Sequence, residues 1–495
     1  MKPKIFISAI LTLVVTEIYA QGSADALRFS QIFNGGTARF TSMGGAFGAL
    51  GGDFGAISYN PAGLGVYRTS EFTITPSFKS RSINSTYNGN SMKDTRTRFY
   101  FDNVGFVMSF KPNKSSETGL VNFNIGLGYN RSNDFYSNSI ANGENEQNSI
   151  LDYYAGLASS NGLDYNNLTQ WAWDGYLIDP APGGGYWAML GEGDGVLQQN
   201  TLETEGTFGE YVFSFASNIS NKLFLGATFG IQNFFYSHSE TYLEDAFDSN
   251  PVLTNGYRFY YMDYSQTFET EGSGYNFKIG AIYKPIEGLR IGFALHTPTY
   301  FNFNDTFSSS MYTDLDSTGL QRTYEFESGN SKYDYKFETP FKMIGSIAYV
   351  FKEVGLISFD YEYLDYSSMR FRDGGDGYTY SNENIELGQV FKSSSNIRIG
   401  GEFKLGDVYL RGGYAFYGNP YSSGYLNDKS KRSIISGGIG YRSGNFFIDA
   451  AYMRSILTQK YIFYDLRDID NNLIVNPVST KMTEGKMLVT FGFKF

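Results

Sequence analysis

The sequence predicts an all-β fold: a 14-stranded antiparallel transmembrane β-barrel with an N-terminal plug, or hatch, inside the lumen. Three observations point there. Apolar and polar residues alternate with period two from about residue 70 onward, the connections alternate between short and long, and a glycine-rich stretch before the first strand does neither. The composition agrees. The 495 residues hold 41 Tyr, 44 Phe and 57 Gly but only 12 Pro, and mean hydropathy is −0.30. Many aromatics at modest hydropathy is what strands with one apolar face produce.

The first element is a secretory signal over 1–20. Lys2 and Lys4 precede the apolar run "IFISAILTLVV", and "IYA" ends it before Gln21. That run is too short for a spanning helix, and no later run reaches the length of one. The chain has no Cys, so lipidation, disulfides and thiolate chemistry are excluded. A formal net charge of −11 argues against nucleic acid as partner.

The second element is 21–69. "TSMGGAFGALGGDFGAISYNPAGLGVY" is small and mildly apolar, with paired glycines and Pro61. Irregular backbone of this kind cannot face lipid. It is also too apolar for a solvated tail, so the expected place is inside the barrel, where a fourteen-strand lumen has room for it.

The barrel follows over 70–495. "VNFNIGLGYN" sets Val121, Phe123, Ile125, Leu127 and Tyr129 on one face against Asn122, Asn124, Gly126, Gly128 and Asn130 on the other. The pattern recurs to the end, at Met487, Val489, Phe491, Phe493 and Phe495. Short turns are expected at 111–118, 218–222, 284–288, 352–355, 405–407 and 442–445, and long outer connections near 81–96, 133–206, 241–270, 308–333, 373–392, 418–431 and 464–484. Short turns on one rim and long loops on the other is the outer-membrane arrangement, so the expected location is the outer membrane of a Gram-negative-type bacterium. A closed barrel gives no reason to invoke an oligomer, and a monomer is expected.

Enzymatic chemistry finds no support. His238 and His296 are far apart, and His238, in "SHS" where a membrane phospholipase could place a Ser-His pair, has no identifiable third partner. "DGGDG" (373–377) and "DIDNN" (468–472) lack calcium-loop spacing and read as turns, so neither a metal nor a cofactor is expected.

"GGTARFTSMGGAFGALGGDFGAISYNPAGL" (35–64) resembles the hatch of the FadL/TodX family of outer-membrane transporters for hydrophobic compounds, including its Asn-Pro-Ala element. "GYNFKIGAIYKPIEGLRIGFALHTP" (274–298) resembles that family's mid-barrel hairpin. The resemblance implies passive uptake of long-chain fatty acids or hydrocarbons by lumenal binding, hatch gating and lateral exit through a kink in the third strand. It carries Asn60, Pro61, Ala62 and Gly63 over as gating residues. Gly126 and Gly128 are candidates for the kink, although small residues there also make room for a plug. Inward parity makes Arg290, Arg398 and Arg411 candidate carboxylate contacts, set against a bracing role in the wall. Trp171, Trp173 and Trp187, all in loop 133–206, are read as a self-packed cap, as a capture surface or as a site for a protein partner. The resemblance leaves a second function open, a barrel that serves as interaction partner or anchor in protein secretion.

Overall fold

A computed structural model describes residues 22–495 apart from 34, 113–117, 164–166, 192, 248–255, 318 and 469–471. The expected signal peptide and most of the 111–118 turn fall outside the described residues.

Fourteen strands close into one antiparallel barrel. They are β1 Glu71–Tyr87, β2 Asn90–Phe110, β3 Leu120–Asp134, β4 Val196–Ile219, β5 Leu223–Ala246, β6 Tyr257–Tyr283 and β7 Leu289–His296, resumed at Tyr300–Ser317. Then come β8 Ser331–Glu338, resumed at Lys342–Phe351, β9 Gly355–Asp365, resumed at Arg370–Asp373, and β10 Ser393–Leu405. The last are β11 Val408–Tyr417, β12 Lys431–Ser443, β13 Phe446–Tyr461 and β14 Val478–Lys494. The wall shuts where β1 pairs β14, from Glu71↔Lys494 to Thr86↔Ser479. Closure leaves no edge at membrane depth, which an open sheet could not achieve in lipid.

The outward residues form an apolar belt ending in aromatics. On β6 it runs Tyr275, Phe277, Ile279 and Tyr283, and on β4 Tyr211, Phe213 and Phe215, all exposed. Beyond Tyr275 the outward face turns polar at Ser273, Glu271 and Glu269, so the strand has left the membrane. β6 has 27 residues, whereas a tilted strand spans a bilayer in roughly 9–11. More than half of it therefore stands outside as a wall.

That wall corrects three expected loops. Residues 81–96 are strand apart from a two-residue Asn88–Gly89 turn, with φ of 44° and 84°, the primed-turn geometry that an Asn-Gly pair supplies. Residues 241–270 belong largely to β5 and β6, and 308–333 to β7, β8 and a short strand Leu320–Glu327 between them. Where both faces are polar or Tyr-rich, alternation loses contrast although the ladder continues.

Loop 133–206 folds over the wall's interior. Its first strand, Ser137–Asn145, continues the pairing with β4, and two helices follow, Ile150–Asn161 and Asn167–Asp174. They pack with Tyr242 of β5, Phe259 and Met262 of β6 and Met311 and Leu315 of β7 into one buried apolar cluster. Ser149 and Asp152 cap the helix Ile150–Asn161 reciprocally, satisfying donors that its first turn leaves free.

Candidate functional site: the lumen and the β2–β3 seam

Residues 22–69 lie against the inward faces of strands on every side of the barrel. A short helix Ser23–Ser30 comes first, then a single helical turn Ala38–Ser42 and two 3₁₀ turns, Phe54–Ser58 and Pro61–Val66, joined by irregular chain. Ala38 donates its N–H to Thr490 Oγ1 of β14 at 2.7 Å, and Gly48 donates its N–H to Asp360 Oδ2 of β9 at 2.9 Å. Burial raises the Asp53 carboxyl above its usual range, while Arg39 and the Thr37 hydroxyl pull it partway back.

Asn60 is fully buried and its side chain makes three hydrogen bonds. Its Oδ1 accepts from Ala62 N–H at 3.1 Å, capping the second 3₁₀ turn, and its Nδ2 donates to the carbonyls of Gly48 and, at 3.4 Å, of Ala281 on β6. Pro61 occupies the first position of that turn, where its missing N–H costs nothing. The wall opposite is built for this contact. Gly226 of β5 pairs Gly280 of β6. An added Cβ on Gly226 would overlap the Pro61 carbonyl, and one on Gly280 the Asn60 Oδ1.

Gly126 and Gly128 make room for the same segment, the alternative set beside a kink in the sequence. The β3 ladder is continuous through both, toward β2 and toward β4. A Cβ on Gly126 would press on Leu64 and Ile57, and one on Gly128 would overlap Phe54. The irregularity of β3 lies closer to the outer rim. Pairing with β2 ends at Asn103↔Asn130, and the register with β4 shifts between Arg131 and Asn133. The Ser132 carbonyl there accepts from Phe33 N–H of the N-terminal segment at 3.1 Å, in place of a strand partner.

Beyond Asn103 the β2 side of this seam is held by side chains alone. Arg131 Nε donates to the Phe101 carbonyl at 3.3 Å, its Nη1 donates to the Thr207 hydroxyl, and its guanidinium lies 4.6 Å from the Tyr100 ring. Tyr100 donates to Asp134 Oδ1 at 3.2 Å, and Asn138 donates to Asp94 Oδ2 at 2.9 Å. Arg131 lines two spaces at once. Inward is a cavity of about 50 Å³ bordered by Phe29, Ile32, Glu210, Lys278 and Lys342. Outward is an open groove of about 360 Å³ in the wall, bordered by Arg98, Phe99, Phe101, Glu205, Thr207 and Phe235. The groove lies just beyond the Tyr129–Tyr211 pair, whose rings are 5.2 Å apart at the outer end of the apolar belt.

Above the inner cavity sits an aromatic cluster. Phe29 of the first helix packs 4.3 Å from Phe303, 5.0 Å from Phe234 and 5.3 Å from Phe337. A helix over Ser381–Val390 closes the cluster with Leu387 and Val390.

The three arginines singled out by parity are engaged with the wall or with the N-terminal segment. Arg398 meets Glu362 at 3.3 Å and donates to the Tyr59 hydroxyl. Arg411 bridges Glu402 at 2.6 Å and Asp449 at 2.7 Å, and Arg290 donates to the Leu50 carbonyl. The tryptophans separate. Trp171 is buried and stacks on Phe326 at 5.9 Å, and Trp173 meets Tyr186 edge-on, whereas Trp187 is 43% exposed. Parity also places Arg432 of β12 inward with Ile434 and Ser436.

A closed barrel of fourteen strands with an apolar belt between aromatic ends is an outer-membrane barrel. No family model and no curated protein matches the chain. Among solved structures it is similar to a Pseudomonas aeruginosa FadL homologue, with a TM-score of 0.57 and 12% identity over 94% of this chain and 100% of that one. It is likewise similar to the P. putida toluene transporter TodX, with a TM-score of 0.54 and 12% identity over 94% and 99%. The chain therefore has the FadL/TodX fold.

Proposed function

We propose that this protein takes up hydrophobic small molecules, fatty acids or hydrocarbons, and releases them sideways through the β2–β3 seam. The carrying observation is Arg131, a single side chain between the lumenal cavity and the groove in the wall. A hydrophobic solute gains nothing by leaving through water, and a groove lined by Phe99, Phe101 and Phe235 at the lipid boundary offers an apolar exit. The relatives of this fold include a toluene transporter, which supports the reading. The segment around Asn60 and Pro61 acts as the hatch: its fit over Gly226 and Gly280 blocks direct passage to the periplasm. The outer cap feeds the aromatic cluster around Phe29.

The test is uptake of labelled oleate and toluene by cells that lack their own carriers and express this chain. Faster uptake of either, abolished when the groove is filled by Thr207→Trp, supports the reading. Uptake no faster than in empty cells contradicts it.

A further inference from the structure

We propose that the outward groove at the β2–β3 seam is a binding site for a phosphate-bearing lipid of the surrounding leaflet, with the phosphate held between Arg98 and Arg131. The inference rests on where the groove lies and what lines it. It stands whether or not a solute leaves through the same seam.

Position decides what fills this groove. It opens outward just beyond Tyr129 and Tyr211, where the apolar belt ends. Phe78, Phe99 and Phe101 extend the belt beside it on β1 and β2, all three exposed. Their rings form one strip, with centroids 5.0 Å apart for Phe78 and Phe99 and 5.2 Å for Phe99 and Phe101. Lipid tails cover such a face on a barrel wall, and the polar groups next to it stand at headgroup height. A groove of about 360 Å³ takes a headgroup and the first part of a chain.

Two guanidinium groups line the groove, Arg98 from β2 and Arg131 from β3. Arg131 commits Nε and Nη1 to the Phe101 carbonyl and the Thr207 hydroxyl, and its Nη2 makes no hydrogen bond among the described residues. Arg98 lies 4.6 Å from the Tyr136 ring and makes no hydrogen bond among the described residues. Its carboxylate neighbour Glu205 stands 3.8 Å away, with side chains 46% and 59% exposed. A pair so long and so exposed contributes little. Glu203 is matched by Arg96 at 2.8 Å, and Asp134, behind Tyr100, by Lys79 and Arg81. The loosest charge pair of the seam is therefore the one at the groove. A phosphate, with several acceptor oxygens, bridges two guanidinium groups where a single distant carboxylate does not.

The backbone calls for the same occupant. Over 98–101 β2 pairs with β1 on one side only, because its ladder to β3 stops at Asn103↔Asn130. A strand edge left bare at the lipid boundary is costly unless something polar covers it. β3 has turned inward here, where the Ser132 carbonyl accepts from Phe33 N–H, and no strand among the described residues takes its place. Arg131 covers one carbonyl of that edge, that of Phe101. Phosphate oxygens accept from backbone N–H groups as they do from arginine, so a headgroup seated between Arg98 and Arg131 also supplies acceptors to the edge. A lipid without phosphate would cover the phenylalanines and leave these donors unmatched.

The experiment compares two lipids that differ by the phosphate alone, dioleoyl phosphatidate and dioleoylglycerol. Each is titrated against the full purified protein in dodecyl maltoside, and bound lipid is counted by native mass spectrometry. The wild type should hold one phosphatidate at least ten-fold more tightly than dioleoylglycerol. Arg98→Gln should weaken phosphatidate binding at least three-fold, and Arg98→Gln with Arg131→Gln at least ten-fold, with dioleoylglycerol unchanged. Arg98→Lys should fall between wild type and Arg98→Gln. Glu205→Gln, which removes the competing carboxylate and keeps both arginines, should tighten phosphatidate binding several-fold, and it decides the matter if the double variant does not fold. Equal affinities in the wild type, a phosphatidate preference that survives the double substitution, or an unchanged phosphatidate affinity in Arg98→Gln or Glu205→Gln overturns the proposal and leaves the uptake reading standing.

Discussion

Arg131 donates its Nε–H to the Phe101 carbonyl across 3.3 Å, at a point where the backbone ladder between their strands has already ended. The seam there is closed by side chains that can exchange partners, which a ladder cannot do without unzipping. Arg131→Ala removes its bonds to Phe101 and Thr207 together with the contact to Tyr100. A loss of about 1–2 kcal/mol from the closed seam raises its open fraction roughly 5- to 30-fold. Uptake of a neutral hydrocarbon should rise, and Arg131→Lys, which keeps one donor, should rise less. Stopped-flow uptake into proteoliposomes reads both.

The glycine socket under Asn60 gives a second expectation. Gly280→Val forces a branched side chain into the space of Asn60 Oδ1 and should expel the Asn60–Pro61 turn from the wall. Overpacking of this kind costs about 1–3 kcal/mol, too little to unfold a closed barrel but enough to free a segment. Single-channel conductance in planar bilayers should increase. Gly345→Val, where a Cβ meets no atom within 4 Å, should leave conductance at the wild-type level.

Asn60 itself holds the turn by three hydrogen bonds. In Asn60→Ala the carbonyls of Gly48 and Ala281 lose a donor, at a cost of about 1–3 kcal/mol. Limited proteolysis from the periplasmic side should cut near residues 50–66 in the variant and spare the wild type.

The tryptophans separate the cap from a capture surface. Trp171→Ala empties a buried position and should destabilise the outer cap by about 3–5 kcal/mol, seen as early loss of near-ultraviolet ellipticity on heating. Trp187→Ala should leave that melting unchanged because the ring is 43% exposed. A fall in oleate uptake confined to Trp187→Ala would give that ring a capture role.

Strand number was legible because each membrane crossing alternates cleanly and the turns at 218–222, 352–355 and 442–445 are short. Strand length was not. Stretches such as 257–270 of β6 stand above the membrane, where Tyr, Ser and Asp occupy both faces and lipid no longer enforces contrast. The glycines of β3 were visible, but their purpose needed the register: Gly128 pairs Gly105, and both face Phe54. Arg398 and Arg411 were correctly expected inside, yet parity cannot show that a carboxylate already holds each one. Arg131 has outward parity beside Tyr129. Only the end of the β2 pairing shows that it closes a seam.

Sideways exit is tested most directly by stapling the groove. Arg98 and Glu205 approach to 3.8 Å across its mouth, and the chain has no cysteine, so Arg98→Cys with Glu205→Cys provides the only thiols. A short bifunctional methanethiosulfonate should then cut oleate uptake at least ten-fold, and a reductant should restore it. Uptake by the stapled protein at the unmodified rate would contradict release through the β2–β3 seam.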